Sequence, residues 1–165
     1  MTKEAALPLR QFRGFDLGRF LPFRLTVLSN RMTRRVARSY GQRFKLSASE
    51  WRIIAVLGEC GAMSANSVMR QTTMDKVRVS RSVAALLKAG YLTRSADARD
   101  RRRAVLDLTP KGTAIYRQIV PLVQEVEAGI LASLSPEERF GLDRVLGKIE
   151  AQLDHGNEKV SDPPE

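Results

Sequence analysis

Apolar residues recur along this chain mostly at helical spacing, and the polar residues between them mark where each helix starts and stops. Across residues 17–44, Phe20, Phe23, Val27, Leu28, Val36 and Tyr40 follow the period of one helical face. Residues 1–16 carry Pro8 and Gly14 with no sustained period, and read as an arm that orders only if it packs on something. Ser47 followed three residues later by Glu50 predicts a capping box, in which each side chain takes up the other residue's backbone N–H. The helix it opens continues through Trp51, Ile53, Ile54, Val56 and Leu57 and ends around Gly58 and Gly61. Ser64 is the expected cap of a third helix, with Val68 and Met69 on its inward face. Thr73 or Asp75 opens a fourth, which runs to Lys88 or Ala89 and stops at Gly90, well placed for a left-handed cap.

Beyond Gly90 the period changes. Residues 91–94 and 104–108 alternate or run apolar for a few positions each and predict two short strands with an arginine-rich turn between them. Thr109 and Pro110 start another helix, since proline at the first helical position forfeits only a donor that would be orphaned anyway. It is expected to reach about Leu134, with a bend near Pro121. Ser135, Pro136, Glu137 and Glu138 repeat the capping logic and begin a last helix to about Leu153, and the polar, proline-rich remainder is expected to be disordered. The sum is a mainly α fold with a small β-hairpin wing: a winged helix-turn-helix with helices added at both ends. By this reading residues 1–16 are an arm, 17–46 the first helix, 47–109 the winged helix-turn-helix lobe, 110–154 the C-terminal helices and 155–165 the tail.

Charge adds direction. The net charge of +10 is unevenly spread: residues 1–121 hold 24 Lys and Arg against 8 Asp and Glu, whereas residues 122–165 hold 4 against 10. A basic body with an acidic end implies that one face meets a polyanion. The first helix carries eight Lys and Arg and no acid between Asp16 and Glu50. The single cysteine, Cys60, excludes an internal disulfide and a cysteine zinc cluster, and the one histidine, His155, leaves no ligand set for a metal, so no cofactor is expected. No nucleophile–base pair or glycine-rich phosphate loop points to an enzyme. No apolar run approaches the ~20 residues of a membrane span, and the N-terminus lacks the apolar stretch of a secretory signal. The expectation is a cytoplasmic protein without a membrane partner.

The fourth helix and the hairpin carry the sharpest chemistry. Val79, Val83 and Leu86 make one stripe that must face a core. Arg78, Arg81, Ser82 and Ala85 fall on another, with Lys76 and Val77 at its start. A cationic outer stripe near a helix N-terminus suits entry into a DNA major groove, where arginine forks pair with guanine edges and a valine methyl packs on thymine. A merely solvated face is the alternative for that helix taken alone. The turn between the strands shifts the balance: Arg99, Arg101, Arg102 and Arg103 are interrupted only by Asp100. Like charge at a hairpin tip is costly unless an anion is present, and a narrow minor groove is such a site. Asp97 and Asp100 are expected to bond to these guanidinium groups and fix where they point. Ser64, Ser67 and Arg70 of the third helix make a second set of candidate phosphate contacts.

The run DKVRVSRSVAALLKAGYLTRSADARDRRRAVLDLTPKG closely resembles the multiple-antibiotic-resistance regulator (MarR) family of bacterial transcription factors. The landmarks are Asp75, Lys76, Val79, Ser80, Arg81, Gly90, Asp100, Arg102, Leu108, Thr109 and Gly112, and the likeness extends over roughly residues 17–153. It implies a homodimer whose terminal helices interlock, with two winged helices reading a palindromic operator in double-stranded DNA. It also implies a small anionic aromatic effector, an aromatic carboxylate or its coenzyme A thioester, that binds between the dimer helices and the reading lobe and releases a repressor from DNA. Phe20, Phe23, Arg24, Leu28, Arg31, Trp51 and Ile54 are the candidates for that cleft. The apolar pattern supports dimerisation independently, because Leu122, Val126, Ile130, Leu134, Leu142, Leu146 and Ile149 give the last helices more apolar surface than a small winged helix covers. This chain departs from the family's commonest pattern at Arg78, where a small polar residue is usual, and in its extra wing arginines. Three other readings stand beside this one. An architectural or RNA-binding winged helix would discriminate little between sequences. A protein-interaction module sits badly with the arginine wing. Oxidant sensing through Cys60 is disfavoured by Glu59 beside it, since a neighbouring acid raises a thiol pKa.

Overall fold

The computed structural model describes residues 15–96 and 104–158, with side chains described as far as Asp154. Their elements run α1 (Leu21–Phe44), α2 (Ala48–Cys60), β1 (Met63–Ser64), α3 (Ala65–Thr72), α4 (Lys76–Lys88), β2 (Leu92–Ala96), β3 (Ala104–Leu108), α5 (Pro110–Leu131) and α6 (Pro136–Glu158).

Side-chain caps begin five of the helices where the polar pattern places them, the Ser135–Glu138 capping box of α6 among them. At α2 the capping box is complete, the Glu50 N–H donating to the Ser47 hydroxyl at 3.3 Å and the Ser47 N–H to the Glu50 carboxylate at 2.7 Å. Ser64 accepts from the Ser67 N–H, Asp75 from the Arg78 N–H and Thr109 from the Gly112 N–H. Each cap satisfies a donor the helix itself leaves orphaned, worth about 1 kcal/mol. Of the two possible starts for α4, Asp75 is the cap, while Thr73 ends α3 in the left-handed region at φ 52°. Gly90, at φ 72°, closes α4 with the Tyr91 N–H bonded to the Leu86 carbonyl and its own N–H to that of Leu87, the paired bonds of a Schellman end.

Some boundaries differ from expectation. Residues 17–19 form a turn rather than the start of α1, and the Asp16 carboxylate takes up the Gly18 N–H there. α5 runs through Pro121 and ends at Leu131, three residues early. α6 continues to Glu158, so the first residues of the expected disordered tail are helical. The arm's residues 1–14 and the tail beyond 158 lie outside the described residues.

The sheet has three strands in the order β1-β3-β2, all antiparallel. β2 and β3 are the expected hairpin, paired from Leu92 with Leu108 to Ala96 with Ala104. β1 is an addition of two residues, Met63 opposite Leu106 and Ser64 opposite Val105. Leu92 and Leu106 turn inward onto one core with Ile53, Ile54 and Leu57 of α2, Val68 of α3, Val79, Val83 and Leu86 of α4, Tyr40 of α1 and Ile119 of α5. Fully burying each such aliphatic side chain contributes roughly 1.5–3 kcal/mol. α2 is the centre of this packing. Gly58 lets the Tyr116 ring of α5 lie directly against it, and that ring stacks on Trp51 at 6.1 Å. No described helix is long and apolar enough to cross a membrane.

Among the described residues, apolar surface is left uncovered most extensively on two helices. One is the first part of α1, with Phe20, Leu21, Phe23 and Leu28 exposed. The other is α6, where Phe140, Leu142, Val145, Leu146 and Leu153 are exposed.

Candidate nucleic-acid interface

With Val79, Val83 and Leu86 fixed in the core, the opposite side of α4 presents Lys76, Val77, Arg78, Ser80, Arg81 and Ala84 to solvent. Ser82 does not join them. It is buried, because it lies beside Val79 three residues before it and Leu86 four residues after it on the edge of the inward stripe, and it is corrected here from a surface to an interior position. Ser80 is the hydroxyl on the open side; averaging the directions of the three stripe residues, rather than reading them one by one, separates the two serines. Val77 is 59% exposed at the first turn, an apolar side chain that folding leaves without a partner. Arg78 lies 3.7 Å from the Asp75 carboxylate that caps the helix. The pair is well exposed, so it contributes little stability, but it tethers the guanidinium to the helix start.

At the N-terminus of α3 the structure brings Ser64, Ser67 and Arg70 together. The two hydroxyls are 3.1 Å apart and Arg70 donates to the Ser67 hydroxyl at 3.1 Å. Asn66 shares this recess with Ala104 at the foot of the wing. A second hollow of about 320 Å³ separates α3 from α4, with Asn66 and Met69 on one wall, Lys76 and Ser80 on the other, and Arg94 of β2 among its lining residues. Neither Asn66 nor Arg94 stood out in the sequence; Arg94 shares the face of β2 that carries Leu92 and is paired with Leu106, but it is exposed and borders the hollow beside α3 and α4. The wing residues Asp97, Arg99, Asp100, Arg101, Arg102 and Arg103 lie outside the described residues; the hairpin stem up to Ala96 and from Ala104 is in place.

α4 is joined firmly to α5. The Thr109 hydroxyl donates to the Gly90 carbonyl at 2.7 Å, and the Lys111 ammonium donates to the Ala89 carbonyl at 2.8 Å while lying 4.6 Å above the Tyr91 ring.

A separate cavity of about 560 Å³ lies between α1, α2 and α6, walled by Leu28, Met32, Val36, Trp51, Leu142 and Leu146. Among the described residues that line it Arg52 alone is charged, and Tyr40 lines it too. Burial pushes the Tyr40 phenol up to about 12, with Arg52 opposing and Glu50 reinforcing the shift, so it remains a hydrogen-bond donor at neutral pH. Of the residues expected in an effector cleft, Leu28 and Trp51 line this cavity. Phe23, Arg24 and Arg31 line a hollow along α1 instead. Phe20 packs on Phe15 at 5.3 Å. Ile54 is fully buried, because its side of α2 faces the core, and is corrected to a packing residue. Neither Tyr40 nor Arg52 stood out in the sequence, Tyr40 reading as one more apolar stripe position. Leu122, Val126, Ile130, Leu134 and Ile149 are half-exposed, and Leu142 and Leu146 are exposed, so α5 and α6 keep an open apolar side. Cys60 is exposed at the end of α2. No group of three or more metal-ligating side chains occurs among the described residues.

A family profile described as a winged helix DNA-binding domain matches residues 46–112, from just before α2 to the start of α5. Over 114 residues the chain is 32% identical to the HTH-type transcriptional regulator PecS of Dickeya dadantii (strain 3937), covering 67% of this chain and 69% of that one. Its fold matches the crystal structure of a MarR/EmrR family transcriptional regulator from Acinetobacter sp. ADP1 with a TM-score of 0.77 and 26% identity, over 86% of this chain and 99% of that one. It also matches BpsR of Bordetella bronchiseptica, a protein whose DNA binding is regulated by 6-hydroxynicotinic acid, with a TM-score of 0.72 and 24% identity over 82% and 96% of the two chains. A core-anchored helix with an open cationic side, a hairpin stem beside it and these likenesses agree: the chain belongs to the MarR family and is a transcriptional regulator with a winged-helix DNA-binding domain.

Proposed function

We propose that the protein is a homodimeric repressor that reads a palindromic operator and lets it go when a small anionic aromatic compound enters the cavity between α1, α2 and α6. The observation that carries the DNA half of this reading is the open side of α4, where Lys76, Val77, Arg78, Ser80 and Arg81 stand together with no role in folding. Arg78 and Arg81 would take guanine edges, Val77 a thymine methyl, and Lys76 and Ser80 the flanking groups. Ser64, Ser67 and Arg70 would hold a phosphate beside them, and Arg99, Arg101, Arg102 and Arg103 the minor groove, oriented by Asp97 and Asp100. The cavity supports the effector half: apolar walls, one aromatic face at Trp51, one cation at Arg52 and one phenol at Tyr40 match a flat ring bearing a carboxylate. Its volume suits a single-ring acid better than a coenzyme A thioester. BpsR's regulation by a hydroxylated pyridine carboxylic acid supports the same class. The uncovered apolar sides of α1, α5 and α6 support a two-fold interface.

The test is a gel shift with the DNA upstream of the protein's own gene against scrambled DNA of equal length. At ~150 mM salt a sequence reader is expected to prefer the former by about 10³-fold or more. Equal binding to both would replace this reading with that of a general nucleic-acid binder.

A further inference from the structure

The effector cavity and the turn of the helix-turn-helix share one side chain. Arg52 projects from α2, half-buried, and is the only charged residue among the described residues lining the cavity. Its Nη1 also donates to the carbonyl of Thr72 at 3.4 Å. That carbonyl belongs to the last turn of α3, where the helix supplies no backbone partner, and it accepts from the Thr73 hydroxyl at 2.8 Å as well as from Arg52. The next residue, Thr73, is held at φ 52°, a left-handed conformation that a β-branched side chain adopts only under constraint. Met74 is then buried and Asp75 caps α4, so three residues connect the two helices that face DNA. A strained turn is therefore braced from outside by a guanidinium that borders a cavity.

We propose that Arg52 is a switch residue: a carboxylate in the cavity draws its guanidinium off the Thr72 carbonyl, freeing the α3–α4 turn to relax and moving α4 out of its DNA-reading position. The inference rests on the effector reading given above. The existing bond is long and its acceptor neutral. A carboxylate offers two shorter, charge-assisted bonds side by side, and the planar guanidinium fork must turn to take both. Linkage then requires operator DNA to weaken effector binding by the same factor by which effector weakens DNA binding.

The experiment uses the full chain with 6-hydroxynicotinate, salicylate and 4-hydroxyphenylacetate, each beside its neutral amide. Fluorescence of Trp51, the only tryptophan and a wall of the cavity, reads binding, and a gel shift reads operator release. Wild-type protein is expected to bind at least one carboxylate in preference to its amide and to release operator. Arg52→Gln is expected to weaken that carboxylate by about tenfold or more, bringing it level with the amide. Thr73→Gly, which removes the strain together with the Thr73 hydroxyl's bond to the Thr72 carbonyl and leaves the cavity untouched, is expected to bind the carboxylate as wild type does yet lose most of the release. Thr73→Asn, which tolerates the left-handed backbone, should do the same. Because Arg52→Gln also lacks the brace, it is expected to bind operator more weakly than wild type before any acid is added. Wild-type operator affinity, carboxylate preference or full release retained in Arg52→Gln would overturn the switch and leave the effector reading standing, as would full release by Thr73→Gly. A wild-type protein that specifically binds operator but neither binds nor responds to any of the three acids would overturn both.

Discussion

Two glycines sit where a methyl group has no room, and they differ in what would have to give way. A Cβ on Gly58 would lie 2.6 Å from the Tyr116 ring, a side chain that can swing aside. Gly58→Ala is therefore expected to cost about 1–3 kcal/mol in urea unfolding, the range of an overpacked core. The displaced ring would leave its stack on Trp51 and its 3.3 Å bond to Glu59. A Cβ on Gly112 would instead meet the Tyr91 carbonyl, which is backbone and already accepts the Thr109 N–H at 3.0 Å. Gly112→Ala is expected to cost more than Gly58→Ala; the reverse order would show that the α4–α5 junction is softer than its hydrogen bonds imply. Tyr40 supplies a pH dependence. With its phenol held at about 12, mainly by burial, the folded state favours the neutral form, so the contribution is intact below about pH 10 and is lost as pH climbs through about 12. Urea melts across that window should show a steeper decline for wild type than for Tyr40→Phe. At this scale the sequence was readable wherever one periodicity decides a residue's side, as at Val79 and Val83. It misled at Ser82 and Ile54, which lie at the edge of a stripe, where the neighbouring element determines burial.

Elements were legible through their ends. Ser47, Ser64, Asp75 and Thr109 each cap a helix through a bond to a backbone N–H three residues on, a local interaction that needs nothing from the rest of the fold. β1 was invisible for the opposite reason: two residues long, it exists only because Leu106 and Val105, some forty positions away in the chain, offer it an edge. The boundary between α3 and α4 was ambiguous because Thr73 and Asp75 are both cap-forming types, and the left-handed backbone at Thr73 resolved it. Asp75 serves α4 in two ways that substitution separates. Asp75→Asn keeps an oxygen for the Arg78 N–H but loses the exposed ion pair, and is expected to change stability by about 0.5 kcal/mol or less. Asp75→Ala loses the cap as well, at about 1 kcal/mol. If the tether to Asp75 aims Arg78 at a base, both variants should relax operator preference to a similar degree despite their different stabilities. A competition gel shift against single-base operator variants measures this, and unchanged preference in Asp75→Asn would show that Arg78 reads DNA free of its tether.

For the whole molecule, the decisive feature is the surface the single chain leaves open. Val145 and Leu153 of α6 are 49% and 64% exposed, so glutamate at either position disturbs little packing within the chain. A partner copy would bury them, and a buried unpaired carboxylate is costly enough to keep two subunits apart. Val145→Glu combined with Leu153→Glu is accordingly expected to sediment as a monomer, and wild type is expected to sediment as a dimer. The consequence for DNA follows from counterions. A dimer lays two basic faces on one operator, and log K falls with log salt by about 0.9 for each phosphate neutralised. The double variant should therefore show roughly half the wild-type salt slope as well as weaker binding. A monomer that kept the full slope would mean that one subunit makes all the phosphate contacts, and the two-headed reading of a palindrome would fall. This part of the biology was least legible in the sequence. The apolar positions of α5 and α6 declare that something covers them, but a two-fold partner leaves no pattern distinct from a larger core in one chain.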